Sequence, residues 1–179
     1  MLQPDQSFYD AALAILGGLG IPPTGTNVNL LVAWSYCEKP HTAGGAWQWN
    51  NPLNTTQPAP GAVSVNSDGV KSYPDQQTGA AACAQTIQNG LYPTLLAGLQ
   101  QSNADLFFSA PGELSTWGTG WSCPHTDYAE LPPYTPAGAG GSSISIGGLP
   151  ISGLAIAAGA LALAALLAGV EEIEGGALT

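Results

Sequence analysis

Charge is scarce in this chain of 179 residues. Only 8% of its residues are charged, arginine is absent, and the basic residues are Lys39 and Lys71 alone. A surface that neutralises phosphates needs clustered lysine and arginine, so no nucleic-acid partner is expected. The acids outnumber the bases enough to give a formal net charge of −10. The opening residues MLQPDQSFYDAAL hold two acids and no base. The basic start of a secretory leader is therefore missing, and none is expected. Cysteine is also sparse: three residues leave one over if a disulfide forms, and that count does not set the redox compartment. No internal repeat is visible.

What is present reads as a helical domain, a linker and a long apolar run. SFYDAALAILGGLG carries apolar residues at helical spacing (Phe8, Ala12, Ile15, Leu16) and stops on glycines. A second helix is expected over NVNLLVAWSYCEK, capped by Thr26 or Asn27 and ended by Pro40. Residues 62–73, AVSVNSDGVKSY, read as a small β-hairpin turning at SDG. PDQQTGAAACAQTIQNG reads as a helix closed by Gly90, and YPTLLAGLQ as another with Pro93 in its first turn. One more short helical piece is expected before STWGTGW. The fold class is mainly α with a small β-hairpin, an α+β domain over residues 1–131.

Composition changes at Pro132. Residues 132–150 are rich in Pro, Gly and Ser and read as a flexible or polyproline-like linker. Residues 151–170, ISGLAIAAGALALAALLAGV, are apolar, and no charge falls between Glu130 and Glu171. About 20 apolar residues span a bilayer core. A lipid membrane is thus an expected partner through this segment, with an acidic tail over 171–179. Its small residues at four-residue spacing (Gly153/Ala157, Ala155/Gly159, Ala165/Gly169) also suit helix–helix oligomerisation, or packing as a buried core helix.

Within the domain, Glu38 stands out. Trp34 and Glu38 are four residues apart and share a helix face made apolar by Leu30, Leu31 and Trp34. In the last helical turn the negative end of the helix dipole and partial burial both disfavour the carboxylate and raise its pKa, while Lys39 opposes them. A carboxylic acid that keeps its proton near neutral pH is what glycosidic cleavage asks of its general acid. The plainer reading is a glutamate that ends an amphipathic helix at the surface. The neighbourhood favours the first. Trp47 and Trp49 can stack on sugar rings, and Asn51, Asn54 and Thr55, with Asn50, Thr56 and Gln57, offer hydrogen bonds to hydroxyl and acetamido groups.

The series W-x-x-x-E, NNPLNTTQ, NSDGVKSYPDQQTG, TIQNGLYP and WGTG resembles a lysozyme-like domain of actinobacteria and their phages. More loosely, it is similar to the glucosaminidase and lytic transglycosylase branches of the lysozyme superfamily. The likeness covers roughly residues 5–122. It implies a lysozyme-type α-rich fold, peptidoglycan glycan strands as substrate, Glu38 as catalytic acid, and Tyr73 as an aromatic lining the cleft. Where related domains carry Gly-Gly after the glutamate, this chain has Lys39-Pro40, and its insert before NNPLN is longer. An inverting hydrolase also needs a second carboxylate, with the two groups about 6.5–9.5 Å apart. Asp68 at the hairpin tip and Asp75 after Tyr-Pro are the candidates, though one suits a turn and the other a helix cap. A lytic transglycosylase needs neither, because the sugar's own 6-hydroxyl attacks.

The cysteines admit several roles. A zinc site can be drawn from Cys37, His41, Cys123 and His125, but closely spaced cysteine pairs are missing and Pro40 interrupts the first pair. A cysteine nucleophile would want an activating helix N-terminus, whereas Cys37 sits near a C-terminus and Cys83 lies among alanines. A Cys37–Cys123 disulfide with Cys83 as a buried small hydrophobe is the preferred expectation, with no metal and no cofactor. Together these readings predict a membrane-anchored peptidoglycan-cleaving muramidase, similar in architecture to virion-associated phage entry enzymes. The alternatives are a non-catalytic wall-binding or structural virion protein and a cellular tail-anchored wall-remodelling enzyme.

Overall fold

The computed structural model describes residues 1–39 and 44–135, with the backbone of residues 144–146 and 149–151. It divides into two units, Met1–Thr135 and Pro136–Thr179.

In the first unit, α1 (Gln6–Leu19) starts where the Asp5 carboxylate accepts from the Ser7 amide at 2.8 Å, and ends at Gly20 with φ 68°. Only a residue free of Cβ strain takes that left-handed turn cheaply. Helix α2 (Gly25–Glu38) begins one turn earlier than expected. Thr24, not Thr26 or Asn27, is its cap: the Thr24 hydroxyl accepts from the Asn27 amide at 3.2 Å. The apolar face seen in the sequence is only part of the burial, because every residue from Asn27 to Ser35 is buried. A helix shielded all round is the centre of its domain. Helix α2 packs against α1, against α7 (Ser122–Glu130) and against α5 (Ala104–Phe108).

A kinked 3₁₀ segment, Gly45–Asn50, leads to a two-stranded sheet in which β1 (Val63–Ser64) pairs antiparallel with β2 (Lys71–Ser72). Helix α3 (Gln76–Ile87) is capped by Asp75 and ends at Gln88, with Gly90 following at φ 91° instead of closing the helix. Helix α4 (Pro93–Gln100) starts on Pro93, whose missing N–H costs nothing in a first turn. Its free amides are capped from a distance: the Glu113 carboxylate of α6 (Pro111–Trp117) accepts from Thr94 and Leu95. The single short helix expected before STWGTGW is thus two, α5 and α6, and α7 lies beyond it.

The core joins α1, α2, α4 and α5 through Ile15, Leu16, Leu30, Leu31, Trp34, Leu95, Leu99 and Phe107. Each such buried side chain contributes about 1.5–3 kcal/mol before chain entropy is counted. A disulfide joins Cys37 at the end of α2 to Cys123 in α7, with Cα atoms 6.0 Å apart. It closes a separation of 86 residues, which in the chain-entropy account is worth about 4–5 kcal/mol. Residues 132–135 belong to this unit. The Pro132 carbonyl accepts from Asn29 at 2.9 Å, and the Tyr134 ring stacks on Tyr9 at 5.6 Å.

In the second unit, β3 (Ile144–Ile146) pairs antiparallel with β4 (Leu149–Ile151). Part of the stretch expected to be linker therefore forms a hairpin. Its Ile-Ser-Ile strand has β-branched residues in alternation, and a Gly-Gly dipeptide stands between the strands. Ile151 lies in β4. The remainder of the expected membrane helix, 152–170, and the acidic tail lie outside the described residues. Among the described residues no helix is long and apolar enough to cross a membrane.

Candidate active site

Glu38 ends α2, half-buried and four residues after Trp34. The Trp34 indole is fully buried against Trp117 and Phe107, with ring centroids at 4.7 and 5.9 Å, and its Nε1–H donates to the Thr119 hydroxyl at 3.0 Å. Thr119 in turn donates to Glu38 Oε1. On the other side, Asn54 Nδ2 donates to Glu38 Oε2 and to the Glu38 backbone carbonyl, each at 3.0 Å. Asn54 reaches both from a left-handed backbone, φ 52°, which asparagine tolerates better than most residues.

Burial pushes the Glu38 carboxyl above its ordinary pKa. The hydrogen bonds from Thr119 and Asn54 and the charge of Lys39 pull the other way without cancelling that shift. Lys39, the next residue, turns inward and is 1% exposed. Its Nζ donates to Asn54 Oδ1 and lies 4.5 Å from the centroid of the Trp49 ring. Burial brings the ammonium down to a pKa of about 8, against the opposing influence of Glu38 and the Cys83 thiol. Chemically, the arrangement is a carboxylic acid with a raised proton affinity, whose conjugate base is met by two ready donors.

The remaining expected site residues separate into distinct places. Trp49 is 41% exposed and lies over Lys39, beside this cluster. Trp47 does not join it. The backbone between them is kinked, with Gln48 at ψ 125° and Trp49 and Asn50 at φ 60° and 52°. Trp47 consequently packs on the core and walls a cleft of about 550 Å³ with Asp10, Ala14, Gln76 and Gln77 of α1 and α3.

Asn51, Thr55 and Tyr73, expected to touch substrate, are buried and engaged internally. Asn51 donates to the Thr55 and Lys71 carbonyls and accepts from the Thr55 amide. The Thr55 hydroxyl meets that of Thr86, and the Tyr73 hydroxyl donates to the Gln57 carbonyl at 2.7 Å. Burial raises the Tyr73 pKa, so it stays a phenol. These three hold the loop that carries Asn54. Asn54 itself serves Glu38 rather than facing outward.

Of the two candidate second carboxylates, Asp75 is occupied as the α3 cap. Its carboxylate accepts from the Thr78 amide at 2.7 Å, which lowers its pKa. Asp68 is exposed in the turn between β1 and β2. The Asp127 carboxylate lies 3.2 Å from the Cys37 sulfur. Burial raises its pKa first and Glu130 second. Asp127 and the two cysteines offer ligand-type atoms within 4.8 Å of one another, but the sulfurs are bonded to each other. Cys83 is fully buried, its thiol pushed up to about 12 by burial, which makes it a poor nucleophile.

Sequence reasoning missed Thr119 as a partner of Glu38 and Lys39 as a buried cation. The WGTG motif had marked the right segment for Thr119, but its contact is 81 residues away in sequence. Lys39 had no local signal for burial. Neither of two clefts in the unit, the one beside Trp47 and one of about 450 Å³ at the N-terminal end of α2, is lined by Glu38. Compared with family models, curated proteins and solved structures, the chain matches none of them.

Proposed function

We propose that this protein is a peptidoglycan-cleaving muramidase, with Glu38 as its catalytic acid. The observation that carries the reading is the half-buried Glu38 carboxyl with its raised proton affinity, set beside an exposed tryptophan. In the reaction, Glu38 delivers its proton to the glycosidic oxygen as the C1–O bond breaks and positive charge develops on the sugar ring. Thr119 and Asn54 already donate to the carboxylate oxygens, so they stabilise the anion that remains. Trp49 supplies an exposed aromatic surface for a sugar ring at the edge of the cluster.

Two completions are open to the cation. In one, the sugar's own 6-hydroxyl attacks in place of water, returns a proton to Glu38 and leaves an anhydro end. Inverting hydrolysis instead needs a second carboxylate to activate water, and with Asp75 engaged as a cap Asp68 is the available candidate. Mass spectrometry of muropeptides separates these routes, because anhydro and reducing ends differ in mass. The central test is Glu38→Gln on purified cell walls. Parental digestion by the folded variant would remove Glu38 from the role.

The proposal extends to a membrane anchor over 152–170, after β4, and to a virion-associated enzyme that opens the wall locally. Partition of the full chain into detergent, lost on truncation after Thr135, tests the anchor. Detection in purified particles separates a virion enzyme from a cellular tail-anchored one. A second reading is a wall-binding or structural protein without catalysis. It is favoured by one observation: both Glu38 oxygens are engaged by internal donors. Wall binding without any released fragment would select it.

A further inference from the structure

Lys39 has no part in the chemistry above, yet it is among the most completely buried large side chains of its unit. Among the described residues it makes no direct ion pair with a carboxylate; the ion pair there joins the Met1 amine to Glu130. Its polar partner is Asn54 Oδ1, with the Trp49 ring beneath the ammonium. Burying an ammonium without a directly paired carboxylate is costly, so its placement calls for a physical reason.

The reason follows from donor and acceptor arithmetic. An ammonium has only donors, so the Asn54 atom facing it must be the carbonyl oxygen. Flipping the amide would set an NH₂ group against the ammonium. Lys39 therefore fixes the amide with Nδ2 aimed at Glu38 Oε2. An amide NH₂ offers no lone pair, so a proton on Oε2 would meet N–H head-on. Oε1 differs. The Thr119 hydroxyl donates to it but can rotate and accept, since it has two lone pairs and Trp34 Nε1–H uses one.

We propose that Lys39 is a positioning residue which, by locking the Asn54 amide, assigns the proton of Glu38 to Oε1. The consequence for catalysis rests on the reading of Glu38 as general acid. The assignment of the proton does not. The titratable groups that act on this pair among the described residues are Glu38 and Lys39 themselves and the Cys83 thiol of α3. When Lys39 loses its proton near pH 8, the charge that favours the Glu38 carboxylate disappears and Glu38 holds its proton more tightly.

The test is a titration of the full chain carrying ¹³C-labelled glutamate and ¹⁵N-labelled lysine, followed by NMR. The Glu38 carboxyl signal should show its own inflection and a smaller step in phase with Lys39 Nζ. Lys39→Met keeps the stem and removes the donors. It should move the Glu38 midpoint to higher pH and expose the Asn54 side-chain amide to solvent exchange, while Lys39→Arg should restore both. An unmoved Glu38 midpoint in folded Lys39→Met overturns the proposal. So does a parental Glu38 signal with no step while Nζ titrates, a result that needs no variant to fold. A coupled titration beside unimpaired wall digestion by Glu38→Gln would keep the positioning role and remove Glu38 from the catalytic one.

Discussion

Trp47 and Trp49 stand two residues apart and end in different worlds. Trp47 packs on the core and walls a cleft with α1 and α3, while Trp49 lies half-exposed over the Lys39 ammonium at the edge of the Glu38 cluster. The chemistry of the two side chains is the same; the backbone between them is not. Left-handed φ values at Trp49 and Asn50 turn the chain over, and Asn50 is then held from both ends. Its Nδ2 donates to the Tyr73 carbonyl at 2.9 Å, and the backbone beside it closes on Gly79. A Cβ at Gly79 would come to 1.6 Å from the Asn50 carbonyl oxygen, so glycine there is required by close approach. A kink of three residues thus divides a structural tryptophan from one available for function.

The strongest way to sharpen this division is Glu38→Gln, which acts on the Trp49 side alone. Removing a general acid costs about 10²–10⁴-fold in rate, so wall digestion should fall by that much with the fold intact. A variant that digests normally breaks the functional half of the comparison. Gly79→Ala attacks the kink itself. Forcing the backbone apart should cost about 3 kcal/mol or more, read as a lowered denaturation midpoint, and an unchanged midpoint would show that the 3₁₀ segment yields freely.

Trp47→Ala and Trp49→Ala should then separate. The first leaves a gap against the core and should lose about 3 kcal/mol of stability with little change in wall affinity. The second removes a cation–π contact worth about 0.5–2 kcal/mol and should weaken wall binding more than it lowers stability. Equal thermal losses at both sites would erase the distinction.

The smallest effect concerns pH. Glu38 has a folded pKa above its unfolded value of about 4.5, so the folded state holds its proton longer. Its favourable contribution is full below pH 4.5 and is lost as pH rises through the raised folded value. Glu38→Gln, free of that loss, should melt higher than the parent at neutral pH and about the same at pH 4. A constant difference at both pH values would mean that burial of the carboxylate is not what separates them.

Local signals carried much of the helical unit. Caps, glycine stops and apolar spacing place α1, α3 and α4 because each depends on contacts within a few residues. The hairpin turn at SDG and the acidic cap at Asp75 are legible for the same reason. Burial of α2 on every side is less so: its asparagines look exposed until Asn27 donates to Pro22 and Asn29 to Pro132. Asn51, Thr55 and Tyr73 look like substrate contacts for a related reason. A polar residue advertises hydrogen-bonding capacity in sequence, not whether protein or ligand will use it.

By itself the sequence determined that a nearly base-free chain would build a small helical unit, with a glutamate at the end of an apolar helix and a composition break after it. Tertiary structure alone decided what that glutamate meets. Thr119 arrives from 81 residues away, Asn54 from 16, and Lys39 turns into the protein instead of toward water. Residue type and spacing govern short-range geometry, where a few dihedral angles suffice. The raised proton affinity of Glu38 is foreshadowed by its place at the end of an apolar helix, but the donors that meet its oxygens are brought together by long-range packing, and no local pattern encodes those.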